Sequence, residues 1–149
     1  QAAEEGIIEV FTSELTGVEL IKLGETGEYN EDEMEEIIEN TIHNSNWLQT
    51  ISFEREMATI ARHLRRRYKL KSFDALHLAT AIRHRVDVFN TTDIADFRKK
   101  GIPEKVGHLP EYEPVLIQYP HVDGYTSSPG PIIDALEDRA RLEKQYEQN

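Results

Sequence analysis

The chain has 149 residues, of which 38% are hydrophobic and 30% are charged, and this length suits a single domain with its own core. Its net charge of −11 argues against a protein that coats nucleic acid nonspecifically, because such proteins need a basic surface. The sequence has no cysteine, which excludes disulfides and thiolate metal sites and favours a reducing cytoplasm. It also has no apolar run that could span a membrane and no signal-peptide pattern.

The first part of the chain predicts a strand followed by a helix. The apolar run Ile7–Phe11 predicts a short strand, and Thr12 or Ser13 is suited to cap a helix that continues to about Leu23. Glu19 lies beside the apolar positions of this helix rather than opposite them, which is an unusual place for an acid. Glu19 is therefore a candidate site residue.

A densely acidic helix is predicted after Asn30. Asn30 and Glu33 have the spacing of a capping box, with Asn in place of the usual Ser or Thr. We interpret the acidic face as a solvated surface, in preference to a partner-binding site. Its members are Glu31, Asp32, Glu33, Glu35, Glu36 and Glu39.

The next predicted helix has a basic C-terminal end. It runs from Phe53 to about Tyr68, with Ser52 as its cap. Seven of the 17 Lys and Arg residues lie between Arg55 and Lys71. Two interpretations of this basic end stay open. The cations could simply stabilise the helix C-terminus, as they do in any protein, or they could bind a phosphate backbone. The candidate phosphate contacts are Arg65, Arg66, Arg67 and Lys69.

The most informative stretch runs from Ser72 to Phe97. An apolar-periodic helix, with Ser72 as its expected N-cap, leads directly into a β-rich segment at Val86–Asn90. A helix that feeds a strand is typical of parallel α/β sheets, which bind ligands at the carboxyl ends of their strands. Asp74 opens the helix and Asp93 follows the strand, so we expect both carboxylates to face one cleft.

Three motifs occur in a fixed order along the chain. They are the turn Ser13–Thr16 followed by Glu19, the segment FDALHLATAI with Asp74, and the Thr-x-Asp pattern that ends at Asp93. Together they resemble the PIN-domain nucleases, the family that includes the VapC-type toxins. The resemblance covers roughly residues 1–119 and implies an α/β fold with a PIN-like parallel sheet flanked by helices.

The resemblance also implies a chemistry, namely metal-dependent hydrolysis of RNA phosphodiesters. Mg²⁺ or Mn²⁺ is the implied cofactor, and oxygen ligands suit both ions. Glu19, Asp74 and Asp93 are the implied catalytic residues and metal ligands, and Asp96 is a further outer ligand. RNA is the implied substrate, an antitoxin protein and a homodimer are implied partners, and no membrane is expected. His77, one turn after Asp74, is interpreted as a packing or surface residue.

The chain departs from the family at its beginning. PIN domains begin with a strand that ends in an Asp, and no such segment precedes Ile7. We therefore expect an α/β domain without its first strand, completed by an upstream segment or closed in another way. The predicted organisation is an N-terminally incomplete PIN-like domain at 1–120, a linker rich in Gly, Ser and Pro at 121–131, and a C-terminal helix at 132–149.

Two other functions stay open. A catalytically inactive PIN-like module that binds RNA or a protein is favoured by the absence of the first acid. An interaction protein would work through the acidic helix and the C-terminal helix. Each candidate acid also has a plain structural role available: Asp74 as a first-turn helix acid, Asp93 as a turn residue and Glu19 as an exposed helix residue.

Overall fold

The computed structural model describes residues 1–24, 29–107 and 113–125. None of the helices in these ranges combines the length and apolar character needed to cross a membrane. The elements, in chain order, are β1 (Val10–Ser13), α1 (Leu15–Gly24), α2 (Glu31–Ile38) with a following π-helical turn (Glu39–His43), β2 (Leu48–Ile51), α3 (Arg55–Tyr68), α4 (Ser72–Arg83), β3 (Val88–Asn90), α5 (Ile94–Lys99), β4 (Lys105–Val106) and β5 (Val115–Gln118).

The strands form two small sheets. In one sheet β1 pairs in parallel with β2, and Val10 lies opposite Leu48. In the other, β5 lies between β3 and β4, parallel to β3 and antiparallel to β4. Among the described residues, β1 and β3 each pair on one side only. The predicted α/β class with parallel strands is confirmed, while the missing first strand stays a prediction.

The main core lies where α3 and α4 pack together against the strands. The repeat of apolar positions every three or four residues places one stripe of each helix in this core. Met57 and Leu64 of α3, and Leu78 and Ile82 of α4, are each at most 1% exposed. This packing holds α4 firmly, so its remaining face can position functional side chains.

The helix starts agree only partly with the sequence predictions. Asn30 accepts a hydrogen bond from the Glu33 N–H, and Glu33 accepts one from the Asn30 N–H, both at 2.9 Å, so the capping box is confirmed. The prediction of Ser52 as a cap is wrong, because α3 is preceded by Glu54 and the Ser52 hydroxyl donates to Glu14 at 3.0 Å. Ser72 is likewise the first residue of α4 rather than its N-cap.

Two predicted strands begin later than expected because hydrogen bonds of adjacent turns hold their first residues, and β1 also continues two residues beyond Phe11, to Ser13. The Ile7 N–H donates to the Ala2 carbonyl at 2.9 Å, in a turn that includes Gly6 at φ +71°, so β1 begins only at Val10. The Val86 N–H donates back to the Ala81 carbonyl of α4 at 3.2 Å, so β3 begins only at Val88.

The predicted linker lies only partly within the described residues. Val122 and Tyr125 form an antiparallel bridge, and the Tyr125 hydroxyl donates a hydrogen bond to the carboxylate of Glu5. This contact joins the far end of the described chain to its first turn. The remainder of the predicted linker, and the whole predicted helix at 132–149, lie outside the described residues.

Candidate active site

Three elements bring the predicted acids into one region. Asp74 lies in the first turn of α4, Glu19 lies on α1 directly after β1, and Asp93 lies between β3 and α5. Asp74 interacts electrostatically with both Asp93 and Glu19. The carboxyl ends of β1 and β3 therefore face a common region, which is where parallel α/β sheets bind their ligands.

Asp74 is the half-buried centre of this acid cluster, a name used below for Glu19, Asp74 and Asp93. Burial is the main cause that raises the pKa of the Asp74 carboxyl, and the charges of Asp93 and Glu19 raise this pKa further. Lys71 and Lys100 act in the opposite direction. A carboxyl whose pKa is raised by desolvation and by like charges is a candidate functional group.

The loop that carries Asp93 is attached to the sheet. The Asp93 N–H donates to the Thr91 hydroxyl at 3.1 Å, and the Thr91 N–H donates to the Gln118 carbonyl of β5 at 3.0 Å. Beyond the loop, α5 is anchored by Phe97, whose buried ring stacks on Phe89 with 6.2 Å between the ring centroids. These contacts hold Asp93 beyond the end of β3.

Glu19 is held by a histidine that the sequence interpretation treated as a packing or surface residue. The His77 Nε2 donates to the Glu19 Oε2 at 2.7 Å, and this hydrogen bond joins α4 to α1. The sequence feature that could have placed His77 near the acids is its spacing from Asp74. Residues three apart on a helix share a face, so His77 lies on the same face of α4 as Asp74. His77 thus belongs to the site as a partner of Glu19.

Asp96 is paired with a lysine. The Lys100 Nζ donates a hydrogen bond to the Asp96 Oδ2. That hydrogen bond is the main cause that lowers the pKa of the Asp96 carboxyl, and Lys71 and Lys99 contribute to the same shift. Lys71 and Lys100 were not among the predicted site residues, although the i,i+4 spacing of Asp96 and Lys100 indicates a pair.

The predicted basic contacts lie at the same end of the helix pair as Asp74. Lys69 to Lys71 join the C-terminus of α3 to the start of α4. Within this turn the Arg65 Nε donates to the Leu70 carbonyl at 3.3 Å, and the Arg67 guanidinium lies 5.3 Å from the centroid of the Tyr68 ring. Arg65 and Arg67 therefore contribute to the turn itself, and all four predicted contacts are exposed to solvent.

The donor chemistry and the donor geometry differ in how well they suit a metal. Carboxylate oxygens are the ligands that Mg²⁺ and Mn²⁺ prefer. In the described parts of the chain, however, no three His, Asp or Glu side chains are arranged so that they could hold a metal ion. Glu19 is bound to His77 and Asp96 to Lys100, so the residues as they stand do not form a complete ligand set.

Acids gathered at the strand ends of an α/β fold are typical of enzymes that cleave phosphate esters with divalent cations. The PIN-domain family matches residues 1–102 of the 149-residue chain. The chain therefore belongs to the PIN-domain family, and the predicted family is confirmed. PIN domains are generally nucleases, often ribonucleases, that use divalent metal ions. No match was found among curated proteins or among solved structures.

Proposed function

We propose that this chain is a metal-dependent endoribonuclease of the VapC toxin type, which hydrolyses RNA phosphodiesters with Mg²⁺ or Mn²⁺. The observation that carries the proposal is the electrostatic convergence of Glu19 and Asp93 on Asp74 from separate elements. These three acids are the proposed catalytic residues and metal ligands, with Asp96 as an outer ligand. An antitoxin partner and a homodimer belong to the same proposal and are supported by the family alone.

The chain's own residues prepare the site in two ways. Asp74 lies among like charges in a half-buried position, and a divalent cation would relieve the resulting repulsion. His77 orients Glu19 through its 2.7 Å hydrogen bond, which restricts the carboxylate to one side of α4. When bound, the cation would supply an activated water and stabilise charge on the phosphate.

Basic residues at the same end of the molecule supply the local attraction that an acidic nuclease needs. Arg65, Arg66, Arg67 and Lys69 are the proposed contacts to the RNA backbone, and Lys71 lies between them and Asp74. Phosphate contacts of this kind add affinity without sequence preference and weaken with salt. The net charge of −11 makes such a local patch necessary rather than optional.

The test is cleavage of a mixed-sequence RNA pool by the purified chain, with Mn²⁺ and with EDTA. Asp74→Asn and Asp93→Asn are compared with Asp32→Asn, which removes an exposed first-turn acid from α2 and is thus a matched control. Because both site variants remove a carboxylate from the acid cluster, we expect each to lose at least tenfold in rate, on the order of 1.4 kcal/mol in the barrier. Circular dichroism establishes that all variants are folded.

Mn²⁺-dependent cleavage that is lost in both site variants and kept in Asp32→Asn would support the proposal. Cleavage that persists in EDTA, or that survives in Asp74→Asn, would contradict it. A folded chain that cleaves no RNA in Mn²⁺ would show that it is not an active ribonuclease by itself.

A second function is favoured by a specific observation, namely the pairing of Glu19 with His77 and of Asp96 with Lys100. Carboxylates whose oxygens are already hydrogen-bonded to other side chains suit a catalytically inactive module that binds RNA or a protein partner. Filter binding of RNA in EDTA separates the two functions. Binding without cleavage in Mn²⁺ supports the inactive module, whereas cleavage excludes it.

A further inference from the structure

Two aromatic side chains are exposed at the amino end of the β1–β2 sheet. Phe11 of β1 is 39% exposed, and Trp47, which directly precedes β2, is 38% exposed. Phe11 lies opposite Gln49 in the sheet, so both side chains belong to one face, and Trp47 comes two residues before Gln49. Ser13 and Ile51, the pair at the carboxyl end of the same face, are buried. This face is therefore covered at its carboxyl end and open at its amino end.

An open face is unusual for a sheet of this kind. The strands β1 and β2 pair in parallel, and parallel sheets are normally covered on both faces. Phe11 and Trp47, together called the aromatic face below, also carry large apolar areas whose burial would stabilise the fold. An apolar element packed on the aromatic face would complete the usual arrangement.

The described chain ends close to the start of this sheet. The Tyr125 hydroxyl donates a hydrogen bond to the carboxylate of Glu5, which lies in the turn before β1. Phe11 follows Glu5 by six residues, and the segment 126–131 also has six residues. Since six residues span at most about 22 Å, a segment that begins at Ile132 can reach the aromatic face.

The sequence of residues 132–149, which lie outside the described residues, predicts a helix with an apolar stripe. In its first half, Ile132, Leu136 and Ala140 recur every four residues, and Ile133 lies beside them. A short tether gives such a segment an effective concentration on the order of millimolar at the sheet. This concentration favours the chain's own segment over a second copy of the protein.

We propose that residues 132–149 dock as a helix on the aromatic face of the same chain, with the apolar stripe against Phe11 and Trp47. The helix covers the open part of the β1–β2 sheet. The aromatic face lies at the amino end of this sheet, whereas the acid cluster lies beyond carboxyl ends of strands. The proposal therefore does not depend on the proposed function.

The first experiment measures acrylamide quenching of tryptophan fluorescence in the full chain. Trp47 is the only tryptophan, so the signal reports on the aromatic face alone. Leu136→Asp places a charge in the apolar stripe and is expected to raise the quenching constant about twofold, because an undocked helix leaves the indole ring open to the quencher. Gln145→Asp is the matched control, since it adds the same charge nine residues later, about two and a half turns away and thus on the opposite side of the helix.

The second experiment approaches the contact from the sheet. Trypsin cleaves after Arg139 and Arg141, and a docked helix resists this cleavage. Phe11→Ser is expected to speed the release of the C-terminal peptide severalfold. Phe53→Ser makes the same change at an aromatic residue that is 46% exposed beyond the other end of β2, and it should leave the release rate unchanged.

Protection that is lost in Leu136→Asp and Phe11→Ser, is kept in both controls, and does not vary with protein concentration supports the proposal. Equal quenching of the full chain and Leu136→Asp overturns it, as does equal peptide release from Phe11→Ser and Phe53→Ser. Protection that grows with protein concentration assigns the aromatic face to a second copy and also overturns docking within one chain. If circular dichroism shows that Phe11→Ser is unfolded, Leu136→Asp decides alone, because it changes no residue of the β1–β2 sheet.

Discussion

Phe97 is expected to help hold the Asp93 loop and α5 in place, and its side chain does so through apolar packing rather than through a hydrogen bond. Its side chain is 3% exposed, and its ring lies 6.2 Å from that of Phe89 at an interplanar angle of 12°. The substitution Phe97→Leu keeps most of the apolar volume and removes the stacked ring. Phe53→Leu is the matched control, because Phe53 is 46% exposed.

The expected loss of unfolding free energy follows from the burial of the Phe97 side chain and from its stacking on Phe89. Loss of an aromatic pair costs about 0.5–1.5 kcal/mol. Imperfect packing of the leucine side chain in the space of the phenylalanine ring adds up to about 1.5 kcal/mol. We expect Phe97→Leu to lower the free energy of unfolding by about 1–2 kcal/mol, and the Tm by a few degrees. Truncation to alanine is expected to cost about 3–5 kcal/mol, a large fraction of the stability of a domain this size.

Urea unfolding followed by far-ultraviolet circular dichroism measures these differences. Phe53→Leu is expected to change the free energy of unfolding by less than about 0.5 kcal/mol, as exposed substitutions do. Equal losses in Phe97→Leu and Phe53→Leu would refute the reasoning, because burial would then not distinguish the two sites. Weaker Mn²⁺ binding by Phe97→Leu than by Phe53→Leu would show that the packing of α5 also positions Asp93.

Two further variants test the acid cluster and the capping box. Burial raises the folded-state pKa of Asp74 above its unfolded value, so the ionised carboxylate opposes folding at neutral pH. Asp74→Asn is therefore expected to increase the free energy of unfolding of the metal-free protein at neutral pH, and this gain should shrink as the pH falls through the folded-state pKa. Urea unfolding across this pH range measures the stability gain, with Asp32→Asn as the control. A loss of stability in Asp74→Asn, or a gain that does not depend on pH, would contradict the raised pKa of Asp74. Asn30→Ala removes the side-chain oxygen that accepts the 2.9 Å hydrogen bond from the Glu33 N–H, while the backbone N–H of residue 30 can still donate to Glu33. The substitution is expected to cost about 1 kcal/mol, whereas Asn46→Ala at an exposed position should be nearly neutral in the same assay.

The sequence by itself determined the features that depend on residues close together in the chain. The capping box of Asn30 and Glu33 spans three residues, and its hydrogen bonds form wherever the helix begins. The helix–strand unit that carries Asp74 and Asp93 follows from periodicity and turn chemistry, which are also local. The α/β class and the family were predictable for the same reason, since both rest on the order of local motifs.

Only the tertiary structure decided which residues become partners across the chain. His77 and Glu19 are 58 positions apart, and Ser52 and Glu14 are 38 apart, so no local rule pairs them. Ser52 has the chemistry of a helix cap, but its hydroxyl donates to Glu14 once β2 lies beside β1. The 20% exposure of the Lys100 side chain likewise depends on how α5 packs against the rest of the domain. Hydrogen bonds and charge–charge interactions act through space, and the folded chain alone sets those distances.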